Sequence, residues 1–184
     1  MSQGLRRICL VGVRGVGKTT LIRSVIEELP HVDYVVGSAV LRELAGDAFA
    51  RFDHLPAKAK HAYRVAAIDW MIERQAREGR HILCDGHTAL LDESTGDVGP
   101  VFTDHDCRFF RELVLVEAPA PVILDRRAQD TAKRRSIDPE VIAKEVSAER
   151  DTSRLLSERW GMRLHELPPN TGPLARERLL ELLR

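Results

Sequence analysis

The sequence has no net charge, few cysteines and no long apolar run, and each absence argues against a class of function. Lys plus Arg and Asp plus Glu both total 28, which argues against a broad hold on nucleic acid or anionic membrane. No apolar run approaches the roughly 18 residues of a membrane-spanning helix, and nothing resembles a signal peptide. The 3 cysteines form no disulfide framework and have no metal-ligand spacing. We therefore expect a protein of the reducing cytoplasm.

The 184 residues are most simply one domain, residues 1–184, because the chain contains no internal repeat and no linker. Short apolar runs alternate with helical patterns, which predicts a parallel sheet covered on both faces. The predicted strands are Arg7–Val11, Asp33–Val36, His81–Cys84, Leu113–Glu117 and Arg163–Glu166. We expect a three-layer α/β/α fold with five parallel strands in the order 2-3-1-4-5.

Helical patterns fill the segments between the strands. Prolines fall in the first turns of two of the predicted helices, where a helix tolerates them. The helices are predicted after Thr19, over Ala39–Phe52 and Pro56–Glu78, from Pro119, from Asp138 to about Trp160, and over Pro173–Arg184. Two segments break the pattern: Leu91–Asp106 is predicted to be a long loop, and Gln129–Ile137 is polar and basic. Such loops are either functional or ordinary surface.

Residues 12–19 match the phosphate-binding loop G-x-x-x-x-G-K-[ST] of nucleoside-triphosphate enzymes. The motif follows a predicted buried strand and precedes a predicted helix, as this loop requires. Backbone N–H groups at such a turn cradle phosphates, Lys18 reaches the β and γ oxygens, and Thr19 holds Mg²⁺. The predicted ATP-phosphate residues are Gly12, Val13, Arg14, Gly15, Val16, Gly17, Lys18 and Thr19. The alternative is a glycine-rich turn without a ligand.

Asp85 ends the third apolar strand and is the candidate second group for the metal. A carboxylate at this position attracts a hydrated divalent ion, so we expect Asp85 to bind Mg²⁺ through water. Gly86 follows it, where many ATP-hydrolysing proteins have a Glu that polarises water. The Asn-Lys-x-Asp string that reads guanine is also absent.

Five basic residues between positions 126 and 135 favour a kinase over a hydrolase. Phosphoryl transfer is catalysed mainly by positioning and by charge neutralisation, which arginines supply. A basic lid that closes over the phosphates also excludes water, and this favours transfer to a bound acceptor.

The order of these segments resembles the archaeal-type adenylate kinases and their P-loop nucleotide-kinase relatives. The similar segments cover most of the chain in order. They are Gly12–Thr20, Asp85–Thr88, Val116–Pro119, Ile123–Arg127, Asp130–Arg135 and Glu149–Arg150. The resemblance implies an acceptor-binding helical region at about 38–79 and a short basic lid at about 128–138.

The resemblance also implies roles for individual side chains. Thr20 would complete the ATP-phosphate loop, and Arg126 would pack near the ATP base. Lys133, Arg135 and Arg150 would surround the transferring phosphoryl group, which makes Lys18, Arg135 and Arg150 the expected catalytic residues. The expected acceptor-binding residues are Ser38, Arg42 and His87.

Each of these assignments has a structural alternative. Arg126 and Asp130 lie four residues apart and could simply pair on a helix surface. Arg150 shares a helix face with Arg154 that could be merely solvated, and a lone histidine such as His87 is more often structural.

The chain departs from this family at three points. Arg14 stands where Pro is usual, Gly86 replaces Thr, and the lid lacks the Cys cluster that binds zinc in some adenylate kinases. These departures weaken the case for AMP as the acceptor but leave phosphate donation intact.

We expect an ATP- and Mg²⁺-dependent transfer of the γ-phosphate to a nucleoside monophosphate, with AMP as the first candidate acceptor. One alternative is a kinase for a nucleoside or sugar hydroxyl, in which Asp85 could act as the base. Another is a nucleotide-binding regulatory protein with little transfer. The sequence does not determine the acceptor or the oligomeric state.

Overall fold

The computed structural model describes residues 4–92, 95–131 and 135–184. The strands are β1 (Arg7–Val11), β2 (Val32–Val36), β3 (His81–Asp85), β4 (Ala89–Leu91), β5 (Val98–Pro100), β6 (Glu112–Leu115) and β7 (Arg163–Glu166). The α-helices are α1 (Lys18–Ile26), α2 (Gly37–Ala45), α3 (Ala57–Glu78), α4 (Asp104–Phe109), α5 (Ala120–Gln129), α6 (Pro139–Trp160) and α7 (Pro173–Leu183). In this part of the chain no helix is long and apolar enough to cross a membrane.

The central sheet has five parallel strands in the order β2-β3-β1-β6-β7. This is the predicted order 2-3-1-4-5, because the short hairpin of β4 and β5 lies outside the main sheet. β1 occupies the centre, and its residues alternate between the two faces, as a strand covered on both sides requires. The phosphate loop begins at the carboxyl end of β1. This point therefore lies in the middle of the edge that the carboxyl ends of the parallel strands form.

Two apolar cores lie on opposite faces of the sheet and complete three layers. On one face, Ile8 and Leu10 of β1 pack with side chains of α1 and α7. On the other, Cys9 and Val11 pack with side chains of α2, α3 and α4. Burying these faces is the main favourable term in folding the domain.

The structure corrects three of the predicted boundaries. The helix predicted over Ala39–Phe52 is two elements, because Gly46 has φ 52° and ψ −129° and ends α2 before a 3-10 helix over Gly46–His54. The loop predicted over Leu91–Asp106 contains most of the β4–β5 hairpin and the start of α4. α4 begins with a capping box between Thr103 and Asp106, a local signal that the loop prediction overlooked. β6 ends at Leu115 and not at Glu117.

A buried carboxylate ties together the amino ends of the central strands. Glu112 of β6 is 1% exposed and accepts hydrogen bonds from Arg6 Nε at 2.9 Å and Nη2 at 2.8 Å. Arg163 Nη2 and His165 Nε2 of β7 each lie 3.2 Å from its oxygens. Burial acts to raise the pKa of Glu112, but the hydrogen bonds and charge of Arg6, together with Arg163 and His165, lower it overall.

Glu112→Gln is expected to destabilise the protein in a pH-dependent way. At pH 7 the loss is about 1.5–3 kcal/mol, the value of a hydrogen bond to a charged group. Because the folded-state pKa is depressed, the stabilisation is present above the unfolded pKa of about 4.3 and is lost as the pH falls further. Urea unfolding of both proteins between pH 3 and about pH 7 measures this difference. The exposed Glu177→Gln serves as control, and a pH-independent difference would contradict the assignment.

Candidate active site

The phosphate loop joins β1 to α1 through a backbone path that three glycines make possible. Gly12, Gly15 and Gly17 have φ of 149°, 87° and 95°, conformations that side-chain-bearing residues rarely adopt. A Cβ on Gly12 would lie 2.4 Å from the Val116 carbonyl oxygen, and one on Gly17 would lie 2.8 Å from Asn170 Nδ2. The loop is thus folded tightly against the residue that follows β6 and the segment before α7.

Lys18, Thr19 and Asp85 converge at the mouth of this loop. Lys18 is buried, and its Nζ donates to the Gly12 carbonyl at 2.5 Å and lies 3.9 Å from Asp85 Oδ1. Thr19 Oγ1 donates to Asp85 Oδ2 at 2.6 Å. Burial lowers the pKa of Lys18, while the charges of Asp85 and Glu149 act to raise it. A desolvated ammonium of this kind gains strongly from an anionic phosphate.

The donor set at Thr19 and Asp85 fits a hard divalent cation. Mg²⁺ prefers oxygen ligands and keeps several of its waters, and a hydroxyl beside a carboxylate supplies such ligands at the edge of a phosphate loop. Tyr34 of β2 donates its hydroxyl to Asp85 Oδ2 at 3.4 Å. Burial and the charge of Asp85 raise the pKa of Tyr34 to about 12, so its hydroxyl stays protonated and acts as a donor.

Arg126 of α5 holds the loop from outside. Its Nη1 donates to the Val16 carbonyl at 2.6 Å and its Nη2 donates to the Asn170 carbonyl at 2.7 Å. Asn170 Nδ2 donates to the same Val16 carbonyl at 2.9 Å. The surface pair between Arg126 and Asp130 that the sequence left open is therefore not the main contact of Arg126, whose guanidinium binds loop backbone.

Arg127, the next residue of α5, binds the loop at a second point. Its Nε and Nη2 donate to the Arg14 carbonyl at 3.0 and 2.8 Å, and its Nη1 donates to the Ser136 carbonyl at 3.0 Å. The guanidinium is 1% exposed and pairs with Glu145 of α6 at 2.7 Å between Nη1 and Oε2. This short contact is not aligned as a hydrogen bond, and among the described residues Glu145 Oε2 has none. The sequence placed Arg127 in a basic cluster without assigning it a role.

Arg135 and His87 are near enough to Lys18 for their charges to interact. Arg135 pairs with Asp130 at 3.1 Å, and with Arg14 and Arg127 it lines one small pocket. Burial lowers the pKa of Arg135, opposed by Asp130 and reinforced by Arg14. His87 is half-buried, and desolvation together with the charges of Lys18 and Arg14 holds its pKa well below the usual value. Its Nδ1 has no hydrogen-bond partner within the part of the chain described.

The third expected catalytic residue is paired with a carboxylate. Arg150 of α6 forms an ion pair with Glu117, with 2.7 Å between Nη2 and Oε1. Its neighbour Arg154 pairs with Glu166 at 2.9 Å on the exposed face of the same helix. Lys133 lies outside the described residues.

The acceptor residues expected on α2 are exposed. Ser38 is exposed near the start of α2. A Cβ added to its neighbour Gly37 would lie 3.2 Å from the Asp85 carbonyl oxygen. Arg42 is exposed, and its guanidinium carbon lies 5.0 Å from the centre of the Phe49 ring. α2 therefore borders the site at Ser38, whereas the Arg42 guanidinium is stacked on the 3-10 helix.

Arg64 of α3 is a better acceptor-binding candidate, and sequence reasoning missed it. Burial lowers its pKa, opposed by the charges of Asp106 and Asp53. In residues 4–92, 95–131 and 135–184 it has no hydrogen bond and no ion pair within 4.0 Å. α3 ends just before β3 begins, and the two elements run in opposite directions. The helix after Arg64 is roughly 21 Å long and β3 is roughly 16 Å long, so the two lengths are similar. Arg64 therefore lies toward the end of the sheet at which β3 ends in Asp85.

Glu149 of α6 is a further residue that the sequence did not single out beyond its place in a family-like pair. It is 1% exposed, and its two carboxylate oxygens accept three backbone N–H groups. Gly12 donates to Oε1 at 2.9 Å, Thr88 donates to Oε1 at 3.0 Å, and Ala89 donates to Oε2 at 2.7 Å. The carboxylate thus joins the phosphate loop to the segment after β3.

Comparisons with known proteins place this architecture in a family. A protein-family model described as an AAA domain matches residues 11–143. A shikimate kinase from Acinetobacter baumannii in complex with shikimate has a TM-score of 0.58 at 18% identity, over 97% of this chain and 91% of that chain. A shikimate kinase from Bacteroides thetaiotaomicron has a TM-score of 0.55 at 17% identity, over 97% and 98%. A comparison with curated protein sequences found no match.

These findings confirm the predicted P-loop fold with its five-stranded parallel sheet. At 17% and 18% identity, the likeness to the two kinases shows a shared fold and no more. Both structures are shikimate kinases, so they do not single out the adenylate kinase branch that the sequence resembles.

Arg127→Met is expected to destabilise the protein by about 3–5 kcal/mol, because it leaves the Glu145 carboxylate buried without its partner. The double variant Arg127→Met with Glu145→Met removes both charges and should recover most of that loss. Urea unfolding of the two variants and the wild type measures the difference. A double variant as unstable as the single one would show that the ion pair is not the source of the effect.

Proposed function

The chain belongs to the AAA domain family, and from that premise we propose that it is an ATP- and Mg²⁺-dependent phosphotransferase with a small anionic acceptor. The observation that carries the proposal is the convergence of Lys18, Thr19 and Asp85 at a phosphate loop enclosed by arginines. Bound Mg²⁺ would be held near Thr19 and Asp85 and would neutralise charge on the phosphates. Apart from Mg²⁺ and the two substrates, every group in the proposed reaction belongs to this protein.

The arrangement supports in-line transfer of the γ-phosphoryl group. An acceptor oxygen forms a bond to the γ-phosphorus while the bond to the bridging β–γ oxygen breaks, and ADP leaves. Lys18 and Arg135 balance the charge on the oxygens. A phosphate acceptor has no proton to lose, whereas the proton of a hydroxyl acceptor would pass to the Asp85 carboxylate. Arg150 would join the site only by leaving Glu117.

Two kinds of similarity bear on which molecule accepts the phosphoryl group. The sequence resemblance favours AMP, while the two structures with the same fold are kinases of shikimate, which carries hydroxyls and a carboxylate. Arg64 suits both classes, because among the described residues its partly desolvated guanidinium has no carboxylate within 4.0 Å, and Asp106 and Asp53 act on it only from further away. We therefore favour an acceptor with a carboxylate or phosphate at one end and a nucleophilic oxygen at the other.

A coupled assay for ADP formation tests the proposal. AMP, CMP, UMP, dTMP, shikimate and simple neutral alcohols are offered in turn with MgATP. Acceptor-dependent ADP formation with an anionic acceptor supports the proposal. Tight ATP binding with no acceptor dependence would instead support a nucleotide-gated regulatory protein. Closure on diadenosine pentaphosphate would favour a nucleotide acceptor over a hydroxyl one.

Lys18→Ala is expected to lower the rate of transfer by at least about 10²-fold, because the ammonium stabilises charge that develops on the phosphates. Lys144→Ala, on the exposed side of α6, should retain the wild-type rate and controls for a general loss of lysine charge. The measurement is kcat with saturating MgATP. Full activity of Lys18→Ala would overturn the assignment of this loop as the site of transfer.

Arg64→Met is expected to raise the acceptor KM about 10- to 100-fold while the KM for ATP changes little, since a hydrogen bond to a charged group contributes about 1.5–3 kcal/mol. Arg42→Met should have a smaller effect, because that side chain is stacked on Phe49. Arg77→Met, at the far end of α3, is the matched control. A larger effect at Arg42 than at Arg64 would restore the sequence-based choice.

A further inference from the structure

Glu149 and Lys18 both form hydrogen bonds with Gly12, the first residue of the phosphate loop. The Gly12 N–H donates to Glu149 Oε1 at 2.9 Å, and the Gly12 carbonyl accepts from Lys18 Nζ at 2.5 Å. Gly12 has no side chain, and its φ of 149° lies in a region that favours glycine. Because glycine lacks a side chain that restricts its backbone, the orientation of its two flanking peptide groups depends on the groups that bind them.

The carboxylate is itself rigidly placed. Its other two contacts, from the Thr88 and Ala89 N–H groups, fix both oxygens, and Thr88 is 0% exposed. Behind it, Ser153 Oγ donates to the Glu149 carbonyl at 2.7 Å and lies 3.0 Å from Thr88 Oγ1. A side chain packed and hydrogen-bonded in this way transmits its position to the groups it binds.

We propose that Glu149 is a positioning residue for Lys18, acting through Gly12, and that it fixes where the ammonium meets the ATP phosphates. Three N–H groups and a nearby ammonium also explain why a carboxylate is buried here at all, since a buried charge needs several donors. Burial acts to raise the pKa of Glu149, opposed by the N–H groups of Thr88 and Ala89 and by the charge of Lys18. The role rests on the nucleotide-binding half of the proposed function and on no particular acceptor.

A double-mutant cycle on MgATP binding tests the proposal. Glu149→Gln keeps the side-chain shape but removes the charge and places an amide NH₂ against one of the three N–H groups. If Glu149 acts through Lys18, Glu149→Gln should raise the Kd of a fluorescent MgATP analogue about 3- to 30-fold in the wild type. In the Lys18→Ala background, the same change should alter the Kd less than about twofold. A purely structural role would give equal effects in both backgrounds.

Controls separate this result from misfolding and from failure of the kinase proposal. Glu158→Gln, exposed on the same helix, should leave the Kd unchanged, and circular dichroism at the assay temperature shows whether each variant is folded. Binding is measured without any acceptor, so an absence of transfer activity would refute the proposed function and leave this test intact. Additive effects in the cycle, or a wild-type Kd in Glu149→Gln, would overturn the role of Glu149.

Amide hydrogen exchange on the wild-type protein provides an independent measurement if Glu149→Gln does not fold. MgATP should slow exchange at the Thr88 and Ala89 amides, although they lie outside the loop, because the ordered loop holds the shared carboxylate in place. Unchanged exchange at both amides on saturation with MgATP would contradict the proposal.

Discussion

A phosphate loop turns its N–H groups toward one point, so several of its carbonyl oxygens face the protein and need donors from elsewhere. The requirement is strict because unpaired buried carbonyls cost free energy. In this protein Lys18 supplies the donor at Gly12, Arg127 at Arg14, and Arg126 with Asn170 at Val16. α5 and the segment before α7 are thus held against the loop at the carbonyls of Arg14 and Val16.

The need for outward-facing donors also explains why two adjacent arginines of α5 both contact the loop. Neighbouring helix residues point about 100° apart, so one cannot replace the other. Arg126 reaches Val16 of the loop and the segment before α7, while Arg127 reaches Arg14 in the middle of the loop and Ser136 in the segment before α6. Glu145 of α6 balances the charge of Arg127 from the opposite side. This buried charge pair thus supports the arginine that binds the Arg14 carbonyl of the loop.

Much of this architecture could be predicted from the sequence. Apolar runs ending in Gly12 and Asp85 determine the strands that carry the site, and the loop motif identifies Lys18 and Thr19. The β4–β5 hairpin was missed because short strands with glycine and acidic residues carry no clear alternation. Arg64 and Glu149 were missed for a different reason. Their roles depend on which partners α3 and α6 meet after packing, and neither helix reveals this in its own periodicity.

The buried charges of Glu112 and of Glu149 lie at opposite ends of the sheet, separated by roughly the 16 Å of a five-residue strand. Coupling between substitutions falls off beyond about 7–10 Å when no partner is shared. Engineering at the amino ends of β1, β6 and β7 can therefore adjust the melting temperature of this domain independently of its turnover. A thermally robust variant made there would serve as a neutral background for dissecting the opposite edge.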